Sequence, residues 1–426
     1  SAEIVNKYEE LNFLYDLSQS LGALLKPGKI FNIILEKIEL SLNADRSSIM
    51  LFNEKSQTLD IAAALGFDIQ KVENPRVSIE KSISGYVLQN GEALMVETLQ
   101  DIPPEIELKK RDDYKSQSFI SVPMIVSPMK IDNNKIGVIN VTEKRNREPF
   151  SSGDLKLLNS IASMAAIAIY NNQLLKKVLE SERLKRDLEI AEQIQSGMLP
   201  TRFPDLPELE IFGRCIPAKN VGGDYFDFFL NDNGCLEMVM ADVSGHNIGA
   251  ALMMANTRSV LKSLIHASSS VNEILYRANK LLYDDMNRSG LFISVFLLRY
   301  DRSKRRLSFA NGGHHPVIWY RAKQNRFVKL DADGLLLGVL PEVDFEEKTV
   351  ILHPGDLLIM YTDGVIEASD ASGNLFGYNR IEKLIAANFA LPVRKLADKI
   401  FREVKFYSNS TDQADDITLQ IMKVKR

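Results

Sequence analysis

Four aspartates in the C-terminal half of the 426-residue chain stand where the backbone is expected to turn. Asp224 lies in Val221-Gly222-Gly223-Asp224-Tyr225-Phe226-Asp227, Asp242 in Asp242-Val243-Ser244-Gly245, Asp363 in Tyr361-Thr362-Asp363-Gly364, and Asp415 in Ala414-Asp415-Asp416-Ile417-Thr418. A carboxylate beside glycine sits on backbone that can turn sharply and admit a small ion, and hard divalent cations take oxygen ligands. Strand-like apolar runs adjoin three of them: Glu237-Met238-Val239-Met240-Ala241, Leu357-Leu358-Ile359-Met360, and the stretch opening at Ile417. Any one of these aspartates alone reads as a turn or cap residue. Their recurrence at strand ends predicts a carboxylate-lined metal centre. Lys219, five residues before Asp224, is either a phosphate-steering cation or a solvated loop lysine.

These carboxylates need a scaffold of short strands. Residues 209–216, 235–243, 291–300, 306–310, 317–321, 326–330, 348–352, 356–361 and 417–423 carry strand patterns. Helical patterns cover 249–266, 271–287, 381–388 and 393–407. Many short strands with inserted and terminal helices predict a β-sandwich flanked by helices.

The N-terminal half is organised differently. Leu11, Leu14, Leu17, Leu21 and Leu24 give a helix an apolar face, Pro27-Gly28 breaks it, and the pattern resumes over 29–42. A hairpin over 48–63, a short helix from Ser84 closed by Asn90-Gly91, and strands at 93–96, 118–126 and 135–141 follow, the last two joined by a 128–134 loop. From Ser152 to about Met198 a helix runs with no Gly or Pro between Asp154 and Ser196. Leu174, Ser181, Leu188 and Gln195 recur every seven residues, with Leu184, Ala191 and Met198 on the adjoining seam. Charged residues crowd the other faces, as in a weak parallel coiled coil or a solvated single helix.

Phrases across the C-terminal region occur in a fixed order: Ala191-Glu192-Gln193-Ile194-Gln195 with Met198-Leu199-Pro200, Gly222-Gly223-Asp224-Tyr225, Asp242-Val243-Ser244-Gly245-His246, Asn311-Gly312-Gly313-His314-His315-Pro316, Leu337-Gly338, Tyr361-Thr362-Asp363-Gly364, and Asp415-Asp416-Ile417-Thr418-Leu419. Together they resemble the SpoIIE/RsbU branch of the metal-dependent (PPM) serine/threonine protein phosphatases over residues 191–426. The resemblance implies that Asp242 bridges two Mg²⁺ or Mn²⁺ ions, with the Val243 carbonyl on one. It places Asp224 on waters of the second ion and Asp363 and Asp415 on the other, with Asp416 where relatives have Asn or Asp. Two cations about 3.5–4 Å apart can activate a bridging water and stabilise an in-line phosphoryl displacement, so no side-chain nucleophile is needed. Ser244 stands where eukaryotic relatives carry a histidine, so His246 is not read as a general acid, and leaving-group protonation falls to water. His314 has no derivable role; it, His266 and His353 read as structural.

The order of elements over residues 10–172 resembles a GAF domain, carried by Ser82-Ile83-Ser84-Gly85-Tyr86-Val87, Ser121-Val122-Pro123-Met124, Ile136-Gly137-Val138-Ile139-Asn140-Val141 and Phe150-Ser151-Ser152-Gly153-Asp154. Such domains bind small ligands or dimerise. Glu143-Lys144, Phe150 and Asp154-Leu155 match only part of the cyclic-nucleotide signature, Asn134-Lys135 is a decoy, and the partial motif also reads as a helix cap pairing Lys144 with Asp154; the ligand is left unidentified. The expected α+β architecture is therefore a GAF sensor or dimerisation domain over 1–172, a helical linker over 173–200, and a PPM-type sandwich over 201–426. The resemblance implies a phosphorylated STAS-domain anti-sigma-factor antagonist as substrate and a homodimer in a bacterial partner-switching pathway. Two rivals remain. Gly222-Gly223-Asp224 imitates the start of a diguanylate cyclase signature, although Tyr225-Phe226 replaces its acidic residue, and an inactive pseudophosphatase scaffold would keep the fold.

Composition sets the outer bounds. A net charge of −4 with no basic stripe excludes a nucleic-acid binder. No apolar run reaches the ~18 residues of a membrane span. Cys215 and Cys235 are isolated, without a Cys-x-x-Cys pair, and read as buried thiols of a cytoplasmic protein. A chain starting at Ser1 is expected to be processed or a fragment, with room for further N-terminal domains.

Overall fold

The computed structural model describes residues 27–72, 75–80, 82–98, 101–104, 106, 118–126, 135–231, 233–245, 247–267, 270–408, 413 and 415–425. The helix expected within residues 1–24, the 128–134 loop with the decoy Asn134, and His246 lie outside these. The chain forms two compact units that divide inside one long helix, between Arg183 and Leu184.

The first unit comprises α1 (Pro27–Leu42), β1 (Ala44–Asn53), β2 (Thr58–Leu65), β3 (Arg76–Ser78), α2 (Ile83–Asn90), β4 (Leu94–Val96), β5 (Phe119–Ile125), β6 (Lys135–Lys144) and the start of α3 (Ser152–Met198). Its six strands form one sheet in the order β3-β2-β1-β6-β5-β4. Pro27-Gly28, read as a break, makes the first turn of α1, where a missing N–H costs nothing. Ile30, Ile34 and Ile38 recur on one face of α1 and pack with Ile161 and Ala165 of α3 against one side of the sheet. On the other side, Val87 and Leu88 of α2 meet Met50, Leu59 and Val138. Ser82 caps α2 by accepting from Gly85 N, and Gly91 ends it at φ 70°. The expected cap of α3 is formed, with Lys144 Nζ 2.8 Å from Asp154 Oδ2 and Asp154 accepting from Ser151 N at 2.7 Å. Beyond Ile169 the side chains of α3 turn outward, Val178, Leu184 and Ile194 being more than half exposed.

The second unit follows the end of α3 with β7 (Leu209–Ile216), β8 (Asp224–Leu230), β9 (Leu236–Val243), α4 (Ile248–Ala267), α5 (Val271–Ser289), β10 (Ile293–Asp301), β11 (Arg306–Gly312), β12 (Val317–Arg321), β13 (Arg326–Leu330), β14 (Lys348–Ile351), β15 (Leu357–Tyr361), α6 (Asp363–Ile366), α7 (Gly377–Asn388), α8 (Val393–Ser408) and β16 (Ile417–Val424). Two five-stranded antiparallel sheets, β14-β11-β10-β9-β8 and β13-β12-β15-β16-β7, face each other. Phe226, Met238 and Met240 of the first interlock with Trp319, Met360 and Met422 of the second. Helices α4 and α5 cover the first sheet through Met254, Leu261 and Ile274, and α7 and α8 cover the second through Ile385, Leu396 and Ile400. The result is the expected sandwich flanked by helices.

Strand β8 and the short α6 are absent from the sequence reading. In β8, Tyr225 and Phe229 point to the helix side while Phe226 and Phe228 point between the sheets. A strand covered on both faces has no polar alternation to reveal it. Cys215 and Cys235 are free thiols, partly rather than fully buried. Among the described residues no helix is long and apolar enough to cross a membrane.

Candidate metal centre

Asp224 opens β8 and Asp242 is the penultimate residue of β9; the ladder sets them directly opposite each other. Side chains alternate along a strand, so Asp224 shares its face with Phe226, and Asp242 shares its face with Met240. Both carboxylates therefore lie at one end of the layer between the sheets. The second sheet contributes Asp363, which begins α6 just after β15, and Asp415, just before β16.

The electrostatics record this convergence. Burial, then the charges of Asp363, Asp415 and Asp416, push the Asp242 carboxyl up to about 8. Asp224 is raised well above the ordinary range by burial and by Asp242 and Asp416, with the hydroxyls of Thr418 and Thr362 pulling the other way. Asp363 is raised by burial and by Asp415. The structure thus brings together Asp224, Asp242, Asp363 and Asp415, while Lys219 stays exposed on the loop between β7 and β8.

The carboxylates do not have equal freedom. Asp224 accepts hydrogen bonds from Thr362 Oγ1 at 2.8 Å and from Thr418 Oγ1, so its orientation is fixed by the second sheet. Asp416 serves backbone rather than an ion: Oδ1 accepts from Ala218 N at 2.8 Å and Oδ2 from Gly223 N at 3.0 Å. This corrects the reading of the glycines. A Cβ on Gly222 would stand 1.8 Å from Asp416 Oδ2, and one on Gly364 would stand 2.0 Å from the Asp416 carbonyl oxygen, so protein fills the space expected for an ion. Gly223 is bare for another reason, since its Cβ would lie 2.4 Å from the Val243 carbonyl oxygen at the end of β9. Only Gly245 keeps the expected open turn, at φ 88° with nothing within 4 Å of a Cβ.

Several partners lie outside the sequence reading. Thr362 and Thr418 each stand inside a quoted aspartate phrase, which is the only signal that could have marked them. His314 is buried, with Nδ1 2.7 Å from the hydroxyl of Ser294, the residue opposite Asp242 on β10. Burial and the neighbouring His315 push its pKa down to about 3, which keeps the ring neutral. His266 and His353 are exposed, the latter 3.9 Å from Asp356.

The donor set suits a hard cation in kind: carboxylate oxygens, with the Val243 carbonyl alongside, and an excess of negative charge at a half-buried position. The protein already satisfies part of this set: Asp224 accepts from Thr362, Asp416 from Gly223 N, and Asp415 Oδ1 from Asp416 N at 2.8 Å. Among the described residues no three Asp, Glu, His or Cys side chains stand in ready ligating positions, so holding an ion requires them to draw together.

The SpoIIE family (Stage II sporulation protein E) matches residues 232–425, and the GAF domain family matches residues 27–169. The chain joins a GAF domain to a SpoIIE-type serine/threonine protein phosphatase domain. Phosphoserine phosphatase RsbU of Bacillus subtilis (strain 168) is 29% identical over 244 residues, spanning 57% of this chain and 72% of that one. Phosphoserine phosphatase RsbP of the same organism is 22% identical over 244 residues, spanning 57% of this chain and only 58% of the relative. The solved SiaA-PP2C domain of Pseudomonas aeruginosa superposes with a TM-score of 0.52 at 22% identity, covering 58% of this chain and 99% of that one, a likeness of fold. Asp242, Asp363 and Asp415 thus lie within the matched SpoIIE range, and Asp224 stands eight residues before its start, on the strand paired with β9. Phosphatases of this family are metal-dependent.

Proposed function

We propose that the chain hydrolyses phosphoserine or phosphothreonine in a protein substrate, using divalent cations held by Asp242, Asp363 and Asp415, under control of its GAF domain. The observation that carries this is the meeting of carboxylates from both sheets, where burial and then the charges of neighbouring aspartates raise Asp242 and Asp363. The Val243 carbonyl would add an oxygen, and Asp224, locked by Thr362 and Thr418, would serve the second ion without moving. Bound there, Mn²⁺ or Mg²⁺ would supply a water nucleophile active at neutral pH and charge neutralisation for phosphoryl transfer. The protein contributes placement, and Lys219 is exposed where it can meet a phosphorylated partner. Two relatives named as phosphoserine phosphatases favour a phosphoserine protein, and the motif resemblance favours a STAS-domain antagonist. A homodimer through the outward apolar residues of α3 would let a GAF ligand or partner act on the phosphatase domain.

The test is hydrolysis of phosphorylated STAS proteins by the intact chain in Mn²⁺, followed by mass spectrometry. Loss of phosphate that stops with chelator or with Asp242→Asn supports the reading. Consumption of GTP instead would establish the cyclase, and no hydrolysis of any phosphoprotein would leave a scaffold. Activity confined to unrelated phosphoproteins would overturn the STAS assignment alone.

A further inference from the structure

The loop at residues 217–223 leads directly into Asp224 and is held from two sides. Asp416 holds it from within the sandwich. From the other side comes the end of α3: Gln195 Nε2 donates to the Gly222 carbonyl at 2.7 Å, and Gly222 N donates to Gln195 Oε1 at 3.1 Å. One side-chain amide thus satisfies both backbone groups of one residue, as a neighbouring strand would. One turn earlier, Glu192 Oε2 accepts from Asn220 Nδ2 at 3.0 Å. Leu199, just past the helix, packs into both cores that flank β8 and β9, so the helix end cannot slide without disturbing them. Gln195 also lies on the heptad seam read from sequence, yet it is occupied by its own chain, so any helix-to-helix seam must end before it.

We propose that Gln195 is a positioning residue for the metal centre, fixing the Gly222-Gly223-Asp224 backbone, and that the state of the connector helix reaches the site through this clamp. The inference rests on the metal-centre reading above. Rotation of α3 by a fraction of a turn would carry the amide off Gly222 and free the loop to shift against Asp416. The backbone leading into Asp224 would then lose one of its two supports, leaving the carboxylate to Thr362 and Thr418 alone.

The experiment is Mn²⁺ binding to the full chain, read by the electron paramagnetic resonance signal of free Mn²⁺, beside the Mn²⁺ dependence of hydrolysis. Gln195→Ala removes both bonds; Gln195→Glu keeps an acceptor for Gly222 N and loses the donor. Two hydrogen bonds of ordinary net strength correspond to an affinity loss of about tenfold for Gln195→Ala. A loss at least as large is expected for Gln195→Glu, whose second carboxylate oxygen would face the Gly222 carbonyl, and in both the lost rate is recovered at saturating Mn²⁺. Wild-type Mn²⁺ affinity in Gln195→Ala would overturn the proposal, and so would a lowered melting temperature with unchanged affinity, the mark of a merely structural contact. If the wild-type chain itself bound no Mn²⁺, the metal-centre reading would fall instead.

Discussion

Asp242→Asn should make the metal-free protein more stable while removing its response to metal. The substitution replaces a half-buried carboxylate with a neutral group of the same shape. In the folded chain burial and the charges of Asp363, Asp415 and Asp416 raise this carboxyl from 3.8 to about 8. Below 3.8 the group is neutral in folded and unfolded chains alike. Between 3.8 and about 8 the unfolded chain sheds the proton first, so the stability contributed at acid pH is progressively lost as pH rises through that window. Each pH unit of that gap corresponds to ~1.4 kcal/mol, which sets a ceiling of roughly 4 kcal/mol at pH 7. Water access and relaxation of the neighbouring carboxylates reduce this to about 1–2 kcal/mol, a rise in melting temperature of roughly 3–6 °C for a domain of this size. Differential scanning calorimetry in chelator at pH 5, 7 and 8 measures it directly. Adding Mn²⁺ should then raise the melting temperature of the wild type and leave the variant nearly unchanged. The reasoning is refuted if the variant gains nothing in chelator at pH 8, if its advantage shrinks as pH rises, or if Mn²⁺ stabilises both chains equally.

Other perturbations separate the roles of neighbouring groups. Gly222→Ala forces a methyl to within 1.8 Å of Asp416 Oδ2 and should cost about 2–3 kcal/mol in urea unfolding, whereas Gly197→Ala, inside α3 with nothing within 4 Å of its Cβ, should lose nothing. Thr362→Val combined with Thr418→Val strips Asp224 of two hydroxyl donors and should raise the Mn²⁺ concentration for half-maximal hydrolysis by about tenfold or more, with circular dichroism unchanged. Leu184→Glu places a charge on an outward position of α3, 58% exposed, and should convert a dimer to monomer in light scattering at micromolar concentration. A wild-type chain already monomeric there would remove the dimer from the proposal.

What the sequence exposed and what it hid divide along physical lines. Helix α3 was legible to its last residue because an uninterrupted run without Gly or Pro and an Asp154 cap are local facts. The aspartate cluster was legible because four carboxylates at strand ends repeat one local pattern. Strand β8 was not, since burial on two faces erases the alternation that marks a strand. The glycines misled for a related reason. Adjacency in sequence reveals that Gly222 lacks a side chain, but the group filling its space, Asp416, arrives from far along the chain. Gln195 was visible only as a member of a heptad, and its hydrogen bonds to Gly222 are a tertiary choice that helical periodicity does not encode.

The position of β16 has a bearing on how the protein comes into being. This strand is synthesised after every other strand of the sandwich, yet it is inserted between β15 and β7 rather than added at an edge. Strand β7, the first to emerge, therefore waits without its partner throughout translation of the domain. Asp415, Asp416 and Thr418 arrive together with that final insertion, so the carboxylate set and the support for Asp224 are completed in one late event. A chain not yet extended through β16 would carry Asp224, Asp242 and Asp363 without Asp415 or the Thr418 support. Any activity that depends on this carboxylate set would begin only once β16 is seated between β15 and β7, so completion of the sheet and completion of the site are one event.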